Sequence, residues 1–159
     1  MLENISIRKA TPEDAKDITN VYLASRKHFL PYATLAHSDE RIYDWLRHLL
    51  TQNQPMFVAV DSGAIVGMMI LANRDHIGWI DQLYLLPEKI SLGIGSILLE
   101  TAKAELGSPI RLHTFQENRR ALHFYERHGF RILSLNDGRH NEEHCAEALL
   151  EWSTEDLNT

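Results

Sequence analysis

A single cysteine, Cys145, occurs in 159 residues, which excludes an internal disulfide and any CxxC metal or redox site. Basic residues are in deficit: 16 Lys and Arg stand against 22 Asp and Glu, a net charge of −6. No electrostatic footprint for nucleic acid is therefore present. No stretch reaches the roughly 18 consecutive apolar residues of a membrane-spanning helix, so no membrane partner is expected. The opening Met-Leu-Glu-Asn-Ile-Ser has no basic segment followed by an apolar run. It does not read as a signal peptide, and a cytoplasmic chain is expected. Repeats, low-complexity tracts and linkers are missing too, so 1–159 reads as one domain.

What is present is an ordinary globular balance, 44% apolar and 24% charged. Ile5 to Arg8 alternates as a short strand. Thr11-Pro12-Glu13-Asp14 then supplies an N-cap, a proline in the first turn and an acidic third residue, opening a helix to about His28. A second helix begins near Ser38, with Ile42, Trp45, Leu46, Leu49 and Leu50 on one face. Met56–Val60 and Ile65–Leu71 are strands around an Asp61-Ser62-Gly63-Ala64 turn. Ile77–Leu86 is the next strand; strict alternation puts Trp79, Asp81, Leu83 and Leu85 on one side and Ile80, Gln82, Tyr84 and Leu86 on the other. A helix over 94–106 ends at Gly107. Ile110–Phe115 is a strand, Asn118 caps a helix to His128, and two strands follow near 130–135 and 146–152. The order βααβββαβαββ predicts a mixed α/β fold. Its twisted sheet is mostly antiparallel, flanked by helices, with one parallel crossover over 94–106.

The chain is organised around residues 83–96, Leu-Tyr-Leu-Leu-Pro-Glu-Lys-Ile-Ser-Leu-Gly-Ile-Gly-Ser. A strand stops at Pro87, and Gly93-Ile94-Gly95 opens a helix. Glycines there let successive N–H groups converge at the positive end of the helix dipole, which makes an anion site. This is neither a dinucleotide fingerprint, since Leu98 stands at the third glycine position, nor a P-loop, since Gly-Lys-Ser/Thr is absent. With an acidic chain, the site must be built locally from backbone.

A second stretch, 116–130, spaces Asn118, Ala121, Phe124-Tyr125 and Gly129-Phe130. Together with Leu83–Pro87 and Gly93-Ile94-Gly95, it resembles the GNAT superfamily of acyl-CoA-dependent N-acyltransferases over the whole order of elements. The resemblance implies acetyl-CoA as donor and no metal. Backbone amides of Ser91, Leu92, Gly93, Ile94, Gly95 and Ser96 would hold the pyrophosphate. The main chain at Leu83 and Leu85 would hold the pantetheine arm, and Asn118 would help retain the cofactor. Tyr125 would protonate the departing thiolate; the alternative is a tyrosine that only packs in the core. The family loop usually carries Gln or Arg, then Gly and Lys, where this chain has Ile90-Ser91-Leu92, so a side-chain contact to phosphate is lost. Asp137-Gly138, Asn141-Glu142-Glu143 and Trp152 resemble the tail of a bacterial subgroup whose acceptors are mostly unassigned. That tail usually continues with Pro-Asp and a Tyr two residues before Trp, where this chain has Ala146-Glu147 and Leu150.

Direct transfer needs a proton acceptor for the amine, donors for the oxyanion and an acid for the sulfur. The N–H near Leu83 is the natural oxyanion donor. Asp81 is the leading base, on the expectation that it shares a face with Leu83; the alternative is a strand-end aspartate paired with Lys or Arg. His113 and His76 are weaker choices. His140-Asn141-Glu142-Glu143-His144 matches H-x-x-E-H by letters but lacks the helix a zinc site requires, and its glutamates serve better to attract a cationic acceptor. Cys145 has no required role. Phe29, Pro31, Tyr32, His37 and Trp45 are expected around the acceptor, a primary amine of a small molecule or peptide. An acidic chain suits such a partner. A non-catalytic acyl-CoA-binding regulatory module on the same fold is the competing reading. Homodimers are common in the resembling family.

Overall fold

A computed structural model of the chain describes residues 2–155. The elements are β1 (Ile5–Lys9), α1 (Ala15–Phe29), α2 (Asp39–Thr51), β2 (Met56–Asp61), β3 (Ala64–Arg74), β4 (Ile77–Leu85), α3 (Ile94–Leu106), β5 (Ile110–Phe115), α4 (Arg119–Arg127), β6 (Arg131–Asn136) and β7 (Glu147–Trp152). The mixed α/β order is the one expected from the sequence.

Helix starts follow capping chemistry. Thr11 N–H donates to Asp14 Oδ2 at 2.8 Å, and the Arg8 guanidinium grips the same carboxylate at 2.7 and 3.0 Å. Ser38 Oγ accepts from Arg41 N–H at 3.2 Å to open α2. Asn118 Oδ1 accepts from Ala121 N–H at 3.2 Å to open α4. Gly93 precedes α3 at φ 91°, a left-handed conformation suited to glycine.

The strands form one seven-stranded sheet in the order β1-β2-β3-β4-β5-β7-β6. Two cores sit on its faces. Ile18, Leu46, Val58, Met68 and Ile70 lie among the α1–α2 set, and Leu71, Ile80, Ile94, Leu98, Leu112 and Leu150 among the α3–α4 set. The parallel junction is narrow: β4 and β5 are in register only at Gly78↔Ile110 and Trp79↔Arg111. Beyond Trp79 the two strands diverge, and among the described residues the edge of β4 away from β3 has no further ladder partner.

One expectation needs correcting. On β3, Ile70 faces Gln82 and Leu71 faces Ile80, so Asp81 is an extra residue in a β-bulge. An inserted residue reverses the alternation on one side of it. Ile80 therefore packs in the same core as Leu83 and Leu85, and Tyr84 in the opposite one. Asp81 does not share a continuous face with Leu83 and Leu85.

Candidate active site

A cavity of about 440 Å³ opens where β4 leaves β5. Leu83, Tyr84 and Leu85 of β4 line it, with Ile90, Ser91, Gly93, Gly95 and Ser96 at the start of α3 and Asn118, Ala121, Phe124 and Tyr125 of α4. Of the residues expected to hold the cofactor, Leu83, Leu85, Ser91, Gly93, Gly95, Ser96 and Asn118 come together here. The side chains of the other two point elsewhere: Leu92 is exposed and Ile94 is buried in the core, so only their main chain remains for that purpose. Arg120 and Arg127 also line the cavity. Cationic side chains from α4 thus share the cavity with the glycine turn expected to hold an anion, and no local motif in the sequence signals them.

Glycine at 95 has a packing reason. A Cβ there would meet the Phe124 ring at 3.3 Å, so glycine permits the first turn of α3 to approach α4. Tyr125 is buried, its ring edge-on to Phe124 at 5.1 Å and Phe130 at 5.5 Å. It both packs in the core and borders the cavity. Burial, with nearby Tyr84, pushes its phenol above the usual value, which holds it protonated.

A second cavity of about 540 Å³ lies between α1, α2 and the β6–β7 loop, lined by Tyr22, Arg26, His37, Arg41, Trp45, Gln82, Glu142 and Glu143 among others. Arg26 is 4% exposed. Its Nη2 donates to Glu143 Oε2 at 3.2 Å and to the Ala33 carbonyl at 3.3 Å, while Nη1 donates to the Tyr22 hydroxyl at 3.2 Å. A buried guanidinium needs such partners. His37 lies 3.3 Å from Glu142. Of the residues expected around the acceptor, His37 and Trp45 line this cavity, and Phe29 lines the first one instead. Pro31 is exposed. Tyr32 packs edge-on to Phe115 at 6.3 Å, and burial pushes its phenol up to about 12.

Asp81 lines a neighbouring depression of about 490 Å³ with Trp45, Arg74 and Gln82. Arg74 holds its carboxylate through two bonds, at 2.8 and 3.0 Å. Asp81 and Tyr125 therefore border different cavities. His113 stacks on Trp79 at 5.6 Å, outside both main cavities, and His76 occupies the β3–β4 turn. Residues 140–143 form bends and turns, and none of 140–144 is helical. Among the described residues no group of three or more His, Cys, Asp or Glu could hold a metal ion, and no helix is long and apolar enough to cross a membrane.

A mostly antiparallel sheet that parts at its parallel junction, beside a glycine-opened helix, defines an α/β protein with an open cleft along β4. The sequence model of the acetyltransferase (GNAT) family matches residues 20–130, and the chain belongs to that family. It is an acyltransferase, and acetyl transfer is the family's general chemistry. No curated protein sequence matches it. Solved structures share its fold. The apo form of YjaB from Escherichia coli is similar at 22% identity and TM-score 0.74, over 93% of this chain and 97% of that one. The PaiA N-acetyltransferase of Thermoplasma acidophilum, in complex with coenzyme A, is similar at 22% identity and TM-score 0.70, over 94% and 98%. Ard1 from Thermoplasma volcanium is similar at 17% identity and TM-score 0.75, over 94% and 97%.

The cavity fits a coenzyme A thioester. The unladdered edge of β4 offers main-chain groups to an amide-bearing arm. The Gly93–Ser96 turn, where Gly93 takes the left-handed conformation that opens α3, offers N–H groups to phosphate.

Proposed function

We propose that this protein transfers an acetyl group from acetyl-CoA to a primary amine of a small molecule or peptide by direct attack. The observation that carries this reading is the single cavity in which the free edge of β4, the Gly93–Ser96 turn and the Tyr125 phenol converge. Acetyl-CoA supplies an activated acyl carbon. Leu83 offers its main-chain N–H to the carbonyl oxygen as charge develops there. Tyr125, protonated at neutral pH, donates its proton to the departing sulfur. Asn118 fixes the start of α4 through its cap and so sets where Tyr125 stands.

The amine enters from the second cavity. Tyr84 borders the cofactor cavity and packs edge-on to Tyr22 of the acceptor cavity at 5.2 Å. Two carboxylates face the acceptor, Glu143, held by Arg26, and Glu142 beside His37, and the proton the amine loses passes to Glu143 as the C–N bond forms and the C–S bond breaks. Asp81 serves as the base only if it first leaves Arg74.

The test is a panel of amines read out by thiol release from acetyl-CoA, with wild type and Tyr125→Phe in parallel. Turnover on at least one amine, depressed in the variant, supports the reading. Acetyl-CoA binding without turnover on any amine would favour a non-catalytic acyl-CoA-binding module instead.

A further inference from the structure

Ser96 Oγ lies 2.9 Å from His128 Nε2. The serine is on the first turn of α3 and lines the cofactor cavity; the histidine follows the last turn of α4. A serine hydroxyl has one proton to give. If it gives that proton to the imidazole, its lone pairs face the phosphate site and repel an anion. If the imidazole donates instead, the hydroxyl proton is free for a phosphate oxygen. Which polarity holds decides whether Ser96 helps or hinders binding.

The imidazole is well fixed for this task. Its ring lies 4.8 Å from that of Phe124. Lys103 Nζ donates to the His128 carbonyl at 3.0 Å and sits 4.7 Å over the Trp152 ring, which ties the end of α4 to α3 and β7. The charged groups acting on it are Lys103 and Glu100 from α3 and Arg127 from α4. Burial and the two cations hold its pKa below the usual histidine value, against Glu100. It is therefore neutral at pH 7 without ligand, with one N–H to place. The loop carries no basic side chain at Ile90-Ser91-Leu92 just before Gly93.

We propose that His128 is the positioning residue for pyrophosphate binding: its Nε2–H donates to Ser96 Oγ, so that the serine hydroxyl donates to a phosphate oxygen of coenzyme A. The added anion favours the imidazolium, so binding takes up protons and tightens as pH falls towards the histidine range. This rests on the reading that the cavity holds coenzyme A.

Calorimetric titration with acetyl-CoA from pH 6 to 8 tests it without knowing the acceptor. His128→Leu and Ser96→Ala should each weaken binding about tenfold, the size of one hydrogen bond to a charged group. His128→Gln, whose amide N–H can stand near the Nε2 position but does not titrate, should restore most of the affinity and flatten the pH dependence. The 3′-phosphate of the ligand also titrates near pH 6, so the difference between wild type and His128→Gln is the quantity read. S-acetylpantetheine, which has no phosphate, should bind wild type and variants alike. Equal acetyl-CoA affinity and equal pH dependence in wild type, His128→Leu and Ser96→Ala would overturn the assignment. So would equal losses with S-acetylpantetheine. No binding of acetyl-CoA to wild type would instead remove the cofactor reading, and this assignment with it.

Discussion

Tyr125 is a core side chain that also lines the cavity, so removing the oxygen leaves its ring packing in place. Tyr125→Phe should lower kcat by about 10²–10⁴-fold, the range of general acid catalysis, with acetyl-CoA affinity and melting temperature nearly unchanged. Because burial raises its pKa, the phenol stays protonated past the ordinary tyrosine range. The pH–rate profile should show no alkaline fall from Tyr125 ionisation below about pH 10. Glu143→Gln keeps an acceptor for Arg26 but removes one of the two carboxylates of the second cavity, and should lower kcat/KM more than Asp81→Asn does. Residues within the two spaced motifs, Tyr125 and Asn118 among them, were legible because a fixed spacing reports a fixed fold. The Arg26–Glu143 pair was not, since 117 positions separate its members and no local pattern joins them. Asp81 looked aligned with Leu83 because period-2 alternation has no way to signal an inserted residue.

Elements were legible where caps, glycines and apolar periodicity agreed: α1, α2, α3 and the β2–β3 hairpin fall close to their expected bounds. The bulge was not, because it arises from how β4 registers on β3, a property of the pair rather than of one strand. Two elements give separate predictions. At the start of α1, Arg8 first and then Thr11 hold the Asp14 carboxyl below the usual carboxylate range. The unfolded chain therefore binds this proton more readily than the folded one. Its stabilisation is complete above the unfolded value of about 3.9 and is lost as pH falls through the lower folded value. Asp14→Asn should cost about 1–2 kcal/mol at pH 7 and progressively less in acid, measured by denaturant unfolding. In the β6–β7 loop, Gly138 has φ 79°, and a Cβ there would overlap the main chain of Cys145. Gly138→Ala should displace the loop that carries Glu142 and Glu143. It should raise KM for the amine while leaving acetyl-CoA binding close to wild type.

Across the whole molecule, the helices are divided between the two faces of one sheet, and the sheet parts where its single parallel pair fails to continue. The architecture was readable from element order, but the width of that opening was not, since it depends on how few residues β4 and β5 share. A chain of net charge −6 would hold an anionic cofactor against its overall field, and the proposed local counterweight is the α3 turn with the arginines of α4. The central claim is that this opening holds a coenzyme A thioester. Thermal unfolding with and without acetyl-CoA tests it directly, with NAD(P) as the control nucleotide. At about 100 times its Kd the ligand adds roughly 2.7 kcal/mol, a rise of several degrees for a domain of this size. Stabilisation by acetyl-CoA and free CoA but not by NAD(P) is the predicted result; an unchanged melting temperature at millimolar acetyl-CoA would contradict it.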